Sequence, residues 1–159
     1  TLSDSGVLTY HTQYDEDGKE TAAVTFSMTD NESEGTVKYF SLAYPILDSL
    51  KNGKRLIVDE FGAKLHTLLL ERIISLFNTQ SGNSRNAQLL VTLHDTNVLS
   101  SNLLRRDQIW FTQKNGRGES SLYPLSDYRV RSDASYEKDY LLGKYGATPI
   151  IDDLSKALK

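Results

Sequence analysis

A chain of 159 residues with 38% hydrophobic and 25% charged residues has the composition of a soluble globular protein. Its net charge of −3 gives no overall sign of nucleic-acid binding, and the lack of cysteine excludes disulfides and Cys-ligated metals. No apolar run approaches the roughly 18 residues of a membrane span, and the first residues show neither a basic nor an apolar leader region, so a cytoplasmic protein with no membrane partner is expected. The first residue is Thr1 rather than Met, which suggests a piece of a longer protein.

Val7 to Tyr10 and Ala22 to Met28 are rich in β-formers and flank "YDEDGKE", whose Asp17-Gly18 predicts the turn of a hairpin. After the polar loop "TDNESEGT", the segment "VKYFSLAYPILDSLKNGK" spaces Val37, Phe40, Ala43, Leu47 and Leu50 as a helix, with Gly53 as its stop. Pro45 removes a backbone donor, so a kink or a short first helix is expected. Leu56 to Val58 predicts a buried strand. From Leu65, "LHTLLLERIISLF" predicts an amphipathic helix with Leu65, Leu69, Arg72 and Leu76 on one side and Leu68, Ile73 and Phe77 beside it.

The loop "NTQSGNSRN" leads to a further apolar strand, Gln88 to Leu93, ending at His94-Asp95. Strand, helix and strand in this order predict a βαβ unit of a parallel sheet. A short helix near Asn97 to Leu104 precedes "DQIWFTQK" and "ESSLYPL", which surround Asn115-Gly116 as a second hairpin. The rest, "SYEKDYLLGKYGATPIIDDLSKALK", predicts a helix, a turn and a polar terminal helix. With no internal repeat and no low-complexity linker, one structural unit over residues 1–159 is the simplest organisation.

In open α/β sheets ligands sit at the carboxyl ends of the strands, and two polar clusters fall there: Asp59-Glu60 and His94-Asp95. An apolar strand ending in Asp-Glu suits nucleoside triphosphate hydrolysis, the first carboxylate holding Mg²⁺ through its water shell and the second acting on the attacking water. His94, at the end of the neighbouring strand, could hydrogen-bond a terminal phosphate or that water. In "ESEGT", Ser33, Gly35 and Thr36 precede a helix and offer a hydroxyl, close backbone approach and the positive end of a dipole to an anion. Each cluster also has an ordinary role open to it: Asp59-Glu60 as a helix cap, His94 bonded to a loop carbonyl, and Ser33 or Thr36 as an N-cap.

The order "ESEGT", "RLIVDEFGAKLH", "LLVTLHDTNVL" resembles the carboxyl-terminal half of an ABC-type ATPase head. The group is that of the bacterial AAA-family ATPases related to the break-repair, chromosome-condensation and overcoming-lysogenization-defect proteins. The stretches "LRRDQIWFTQKNGRGESSLYPLSDYRVR" and "YLLGKYGATPII" are similar to the same group. The resemblance implies an α/β, P-loop NTPase-like lobe, a mostly parallel sheet with flanking helices and added hairpins. It also implies that ATP and Mg²⁺ are bound.

By that resemblance Ser33, Gly35 and Thr36 match the signature loop, which contacts ATP held by the opposite protomer. Asp59 matches the Walker B aspartate that serves Mg²⁺, and Glu60 the catalytic glutamate. Lys64, Leu65 and His66 lie in the D-loop, and His94 matches the switch histidine. Implied partners are a second ATPase head, an amino-terminal lobe carrying the Walker A loop, and a nuclease effector or DNA downstream. Glu34 departs from the double glycine of transporters.

The larger departure is that no "GxxxxGK[ST]" occurs: Lys19, Lys54 and Lys144 each follow a glycine, and none is followed by Ser or Thr. The chain is therefore expected to be a carboxyl-terminal lobe, inactive alone, with a non-catalytic interaction or DNA-binding module on the same fold as the alternative. His11, His66 and His94 are too scattered for a zinc motif, and no nucleophile elbow "GxSxG" is present. Arg105, Arg106, Arg129 and Arg131 interleave with Asp107, Asp127 and Asp133 as on a solvated face. Trp110, Phe111, Tyr123 and Tyr128 suit a hairpin packed on the core.

Overall fold

The computed structural model describes residues 6–100, 103–130 and 135–149. Where the sequence suggests a single unit, the chain groups into two compact ones, Thr1–Leu93 and His94–Lys159.

The first unit opens with the predicted hairpin, strands β1 (Leu8–Tyr14) and β2 (Glu20–Ser27) paired antiparallel with Leu8 opposite Ser27. The Asp15 carboxylate accepts the amides of Asp17 and Lys19 at 3.1 and 2.9 Å, and Gly18 takes φ +77°, so the turn closes through an Asp side chain and a left-handed glycine. Helix α1 (Glu34–Asn52) runs from its N-cap Ser33 to Gly53, a left-handed C-cap at φ +65° whose amide donates to the Ser49 carbonyl. Pro45 lies inside this single helix rather than dividing it.

The buried stripe of α1 is Leu42, Ile46 and Ser49, while Phe40 and Leu47 are exposed, so the predicted apolar set is rotated from the observed one. The helix carries apolar side chains on more than one face, and periodicity alone does not say which face is covered.

Strand β3 (Arg55–Val58), helix α2 (Thr67–Asn78) and strand β4 (Gln88–Val91) form the predicted βαβ unit, with β3 and β4 parallel and Arg55 opposite Gln88. The strand is not buried as predicted. Leu56, Val58, Leu89 and Val91 turn to the covered side, but Ile57 and its partner Leu90 are 73% and 64% exposed. Among the described residues this sheet has two strands, and three apolar residues in a row cannot reveal that only one face is covered.

Helix α2 begins at Thr67 instead of Leu65, with His66 as N-cap, and buries Leu70, Ile73 and Ile74. Leu68 is exposed. In the following loop the buried Asn83 satisfies itself on backbone: Nδ2 donates to the carbonyls of Phe77 and Ala87, and Oδ1 accepts the Ala87 amide at 2.6 Å.

In the second unit a 3-10 turn, Thr96–Leu99, stands where a short helix to Leu104 is predicted; residues 101–102 lie outside the described ones. The second hairpin is present as β5 (Trp110–Lys114) and β6 (Ser120–Pro124), antiparallel with Phe111 opposite Tyr123. Its core holds Ile109, Phe111, Leu125 and Tyr145, with Tyr123, Tyr128 and Tyr140 packed against it.

Trp110 departs from expectation. On a strand that buries Phe111 the adjacent residue points the other way, and Trp110 is 55% exposed with its indole N–H donating to the Asp107 carbonyl. Helix α3 (Tyr136–Leu141) follows, and the predicted terminal helix lies outside the described residues. Of the interleaved charges, Arg105 and Asp107 form an exposed ion pair at 2.9 Å that holds the Asp107 carboxyl below its ordinary range, while Arg131 and Asp133 are not among the described residues.

The described residues thus hold one parallel pair and two antiparallel hairpins, an α/β arrangement in which parallel pairing is confined to β3 and β4. No helix among them is long and apolar enough to cross a membrane.

Candidate active site

The register of β3 and β4 places residues 33 positions apart side by side, as the Arg55–Gln88 side-chain bond illustrates. Beyond the last ladder pair, Val58 and Val91, the same register brings Asp59 beside Thr92. Four bonds meet at this threonine. Its amide donates to the Val58 carbonyl at 3.2 Å, and its carbonyl accepts the Phe61 amide at 3.0 Å. Its Oγ1 accepts the Glu60 amide at 2.8 Å and donates to Asp59 Oδ1.

Glu60 is a non-glycine residue in the left-handed region, φ +49°. Such a residue costs about 1–3 kcal/mol unless its surroundings hold it there. Here the hydroxyl bond precedes it and the fully buried Phe61 follows it. Asp59 and Glu60 themselves are exposed. Hydrophobic burial therefore anchors the turn at Phe61 while both carboxylates stay in solvent.

The turn continues with the Ala63 amide donating to the Glu60 carbonyl and the Leu65 amide to the Gly62 carbonyl. Lys64 is again left-handed, φ +67°. Its ammonium meets the Glu34 carboxylate at 2.6 Å, an exposed pair, and its carbonyl oxygen would stand 2.7 Å from any Cβ added at Gly35. The loop before α1 and the turn after β3 are thus packed together at a position where only glycine fits.

Leu65 is half-buried, and His66 Nδ1 accepts the Leu68 amide at 3.2 Å to cap α2. Ser33 caps α1, its Oγ accepting the Thr36 amide at 3.1 Å and lying 2.9 Å from Thr36 Oγ1. Just upstream, Glu32 ties this loop to β1. Its carboxylate accepts Thr9 Oγ1 at 2.5 Å and is bonded to His11 Nε2 at 2.6 Å, and these bonds, Thr9's first, hold it below the ordinary carboxylate range.

Within the first unit the structure therefore packs Gly35, in the first turn of the helix that Ser33 caps, against Lys64, and Lys64 follows Asp59 and Glu60 in the turn after β3. His94 is exposed and is the first residue of the second unit. Its neighbour Asp95 is committed locally, accepting the Asn97 amide at 2.9 Å and the Asn97 side-chain amide at 2.8 Å to cap the 3-10 turn. Thr92 is the residue missed in sequence. Laying "RLIVDE" over "QLLVTL" as parallel neighbours would have found it, because the offset that pairs the strands also pairs Asp59 with Thr92.

Among the described residues no three His, Asp or Glu side chains are grouped to hold a metal ion. An exposed carboxylate beside a hydroxyl offers hard oxygen donors. They fit Mg²⁺, which keeps much of its water and takes one or two carboxylates together with phosphate oxygens.

The profile of the family described as "AAA domain, putative AbiEii toxin, Type IV TA system" matches residues 2–100. The chain belongs to this AAA family. The match takes in the first hairpin, Ser33–Thr36, Asp59, Glu60, Lys64–His66 and His94, and it stops before the second hairpin. AAA domains are nucleotide-binding domains of the ATPase type, and ATP with Mg²⁺ is what the family generally binds. No curated protein matches the chain.

Proposed function

We propose that this AAA-family chain is the carboxyl-terminal lobe of an ABC-type ATPase head and hydrolyses MgATP at a composite site between two heads. The observation that carries the reading is the turn after β3, where Asp59 and Glu60 stand exposed at the carboxyl end of a parallel strand and are held there through Thr92. Asp59 would hold Mg²⁺ through its water shell; the ion, when bound, neutralises charge on the phosphate oxygens. Glu60 orients the attacking water and takes its proton. His94 senses the γ-phosphate by hydrogen bonding.

Ser33, Gly35 and Thr36 form the loop that closes over the partner head's ATP, and the packing of Gly35 on the Lys64 carbonyl supports a common surface for this loop and the D-loop residues Lys64, Leu65 and His66. Turnover would then open and close the dimer. The work it drives is DNA-related or antiviral, with a nuclease or DNA as the downstream partner. The phosphate-cradling loop comes from an amino-terminal lobe, so this chain alone is inactive.

One observation favours a second reading. The sequence contains no "GxxxxGK[ST]", as suits an interaction or DNA-binding module that keeps the fold without turnover. The test is steady-state MgATP hydrolysis by the full-length polypeptide, wild type beside Glu60→Gln. We expect the variant to lose at least about 100-fold in turnover, as removal of a general base does, and to trap ATP in a closed dimer. Wild-type turnover in the variant would overturn the assignment of Glu60, and a wild type without turnover would favour the binding module.

A further inference from the structure

Thr92 carries more than a strand-end contact. A threonine hydroxyl has one donor and two acceptor lone pairs, and here the donor goes to the Asp59 carboxylate while the oxygen accepts the Glu60 amide. One oxygen atom thus touches both residues of the proposed site, one through its side chain and the other through its backbone. Among the described residues no other side chain hydrogen-bonds to Asp59 or Glu60, and both are exposed. Beside the buried Phe61 and the Ala63 amide on the Glu60 carbonyl, which hold the rest of the turn, their directions depend on this bond and on the two backbone bonds that lock Thr92 to Val58 and Phe61.

We propose that Thr92 is the positioning residue of the site: its hydroxyl sets the orientation of the Asp59 carboxylate and holds the left-handed backbone at Glu60 that aims the general base. This rests on the reading of Asp59 and Glu60 given above. Sequence register supports it, because the hydroxyl sits at the position that the β3–β4 pairing places beside Asp59.

An isosteric valine keeps the branched shape and the backbone bonds but withdraws the donor from Asp59 and leaves the Glu60 amide to water. The Glu60 side chain then leaves the direction imposed by φ +49°. A misplacement of about 1 Å at a reacting group costs on the order of 100-fold in rate. A serine keeps the hydroxyl and drops only a methyl group.

The experiment compares wild type, Thr92→Val, Thr92→Ser and Glu60→Gln in the full-length polypeptide, measuring kcat, KM for ATP and the Mg²⁺ concentration dependence of turnover. Alongside it, hydrogen exchange of the Glu60 amide is followed in the wild-type protein and in both Thr92 variants. Thr92→Val should lower kcat about 100-fold, leave KM for ATP nearly unchanged and raise the Mg²⁺ requirement. Thr92→Ser should restore most of the rate. The Glu60 amide should be protected in wild type and Thr92→Ser and exchange quickly in Thr92→Val.

Wild-type kcat in Thr92→Val, with Glu60→Gln inactive, would overturn the positioning role. A serine variant as impaired as the valine would assign the effect to packing and overturn it as well. Where Thr92→Val fails to fold, the wild-type amide decides: exchange at the rate of an open loop removes the proposed bond. Full turnover in Glu60→Gln would bring down the underlying assignment instead.

Discussion

In the second unit three tyrosine hydroxyls point inward: Tyr123 and Tyr128 donate to the Tyr145 carbonyl at 2.8 and 3.0 Å, and Tyr140 donates to the Ala147 carbonyl at 3.0 Å. In the first unit the Thr92 hydroxyl works at the open end of a strand, between two groups that face solvent. The chemistry is the same and the consequence differs. Around Tyr145 the bonds satisfy backbone carbonyls in partly buried surroundings, where an unmade bond is expensive. At Thr92 water could replace each bond at little cost, so what the hydroxyl contributes is direction rather than stability.

The largest effect that would break this contrast is expected from Phe111→Ala. The Phe111 ring stacks on Tyr140 and Tyr145 at 5.5 and 5.6 Å and lies 6.0 Å from Tyr123, so the truncation opens a cavity at the centre of the cluster. A loss of about 3–5 kcal/mol is expected, read by denaturant unfolding with Trp110, the single tryptophan and the neighbour of Phe111 on β5, as reporter. A loss below about 1 kcal/mol would mean that the cluster does not organise this unit.

Gly146→Ala should cost less, about 1–2 kcal/mol for a left-handed backbone, measured in the same way. Gly146 has φ +67°, and a Cβ there would meet Gln113 Oε1 at 2.7 Å and the Tyr123 hydroxyl at 2.9 Å. Alanine would therefore also disturb the bond from Tyr123 to the Tyr145 carbonyl. An unchanged unfolding midpoint would show that this loop relaxes freely.

A further effect concerns alkaline pH. Burial, followed by the nearby Asp139 carboxylate, pushes the Tyr145 hydroxyl up to about 12. A group whose folded pKa is raised stabilises fully below its unfolded value, near 10, and that contribution is lost as pH rises through the folded one. The midpoint of the second unit should then decline between about pH 10 and 12, and Tyr145→Phe should flatten the decline. An identical slope in the variant would remove Tyr145 as its source.

Much of the local architecture was legible because it is written in short-range chemistry. Asp17-Gly18 and Asn115-Gly116 marked both hairpins, Gly53 marked the end of α1, and the spacing of apolar segments marked the βαβ unit. What failed were statements about cover. Ile57 was expected inside and is open, because alternation within four residues does not distinguish a sheet packed on two faces from one packed on one.

The site divided in the same way. The strand-end acids stood out as residue types, whereas Thr92 became visible only once the two strands were laid in register. His66 illustrates a further gap. A histidine can cap a helix through Nδ1, and its residue type does not separate that role from membership of a functional loop.

The contact between Gly35 and the Lys64 carbonyl has a consequence for genetics. Any side chain at Gly35 collides with main-chain oxygen rather than with a flexible tip, so a saturation screen would score every substitution there as damaging. That intolerance would arise from crowding between two loops of one chain, whether or not the loop ever touches a nucleotide. Ser33→Ala adds no atoms but also removes the cap that accepts the Thr36 amide, so a phosphate contact would show there only as a loss in KM for ATP or turnover beyond the loss of stability, which is information the glycine's phenotype withholds.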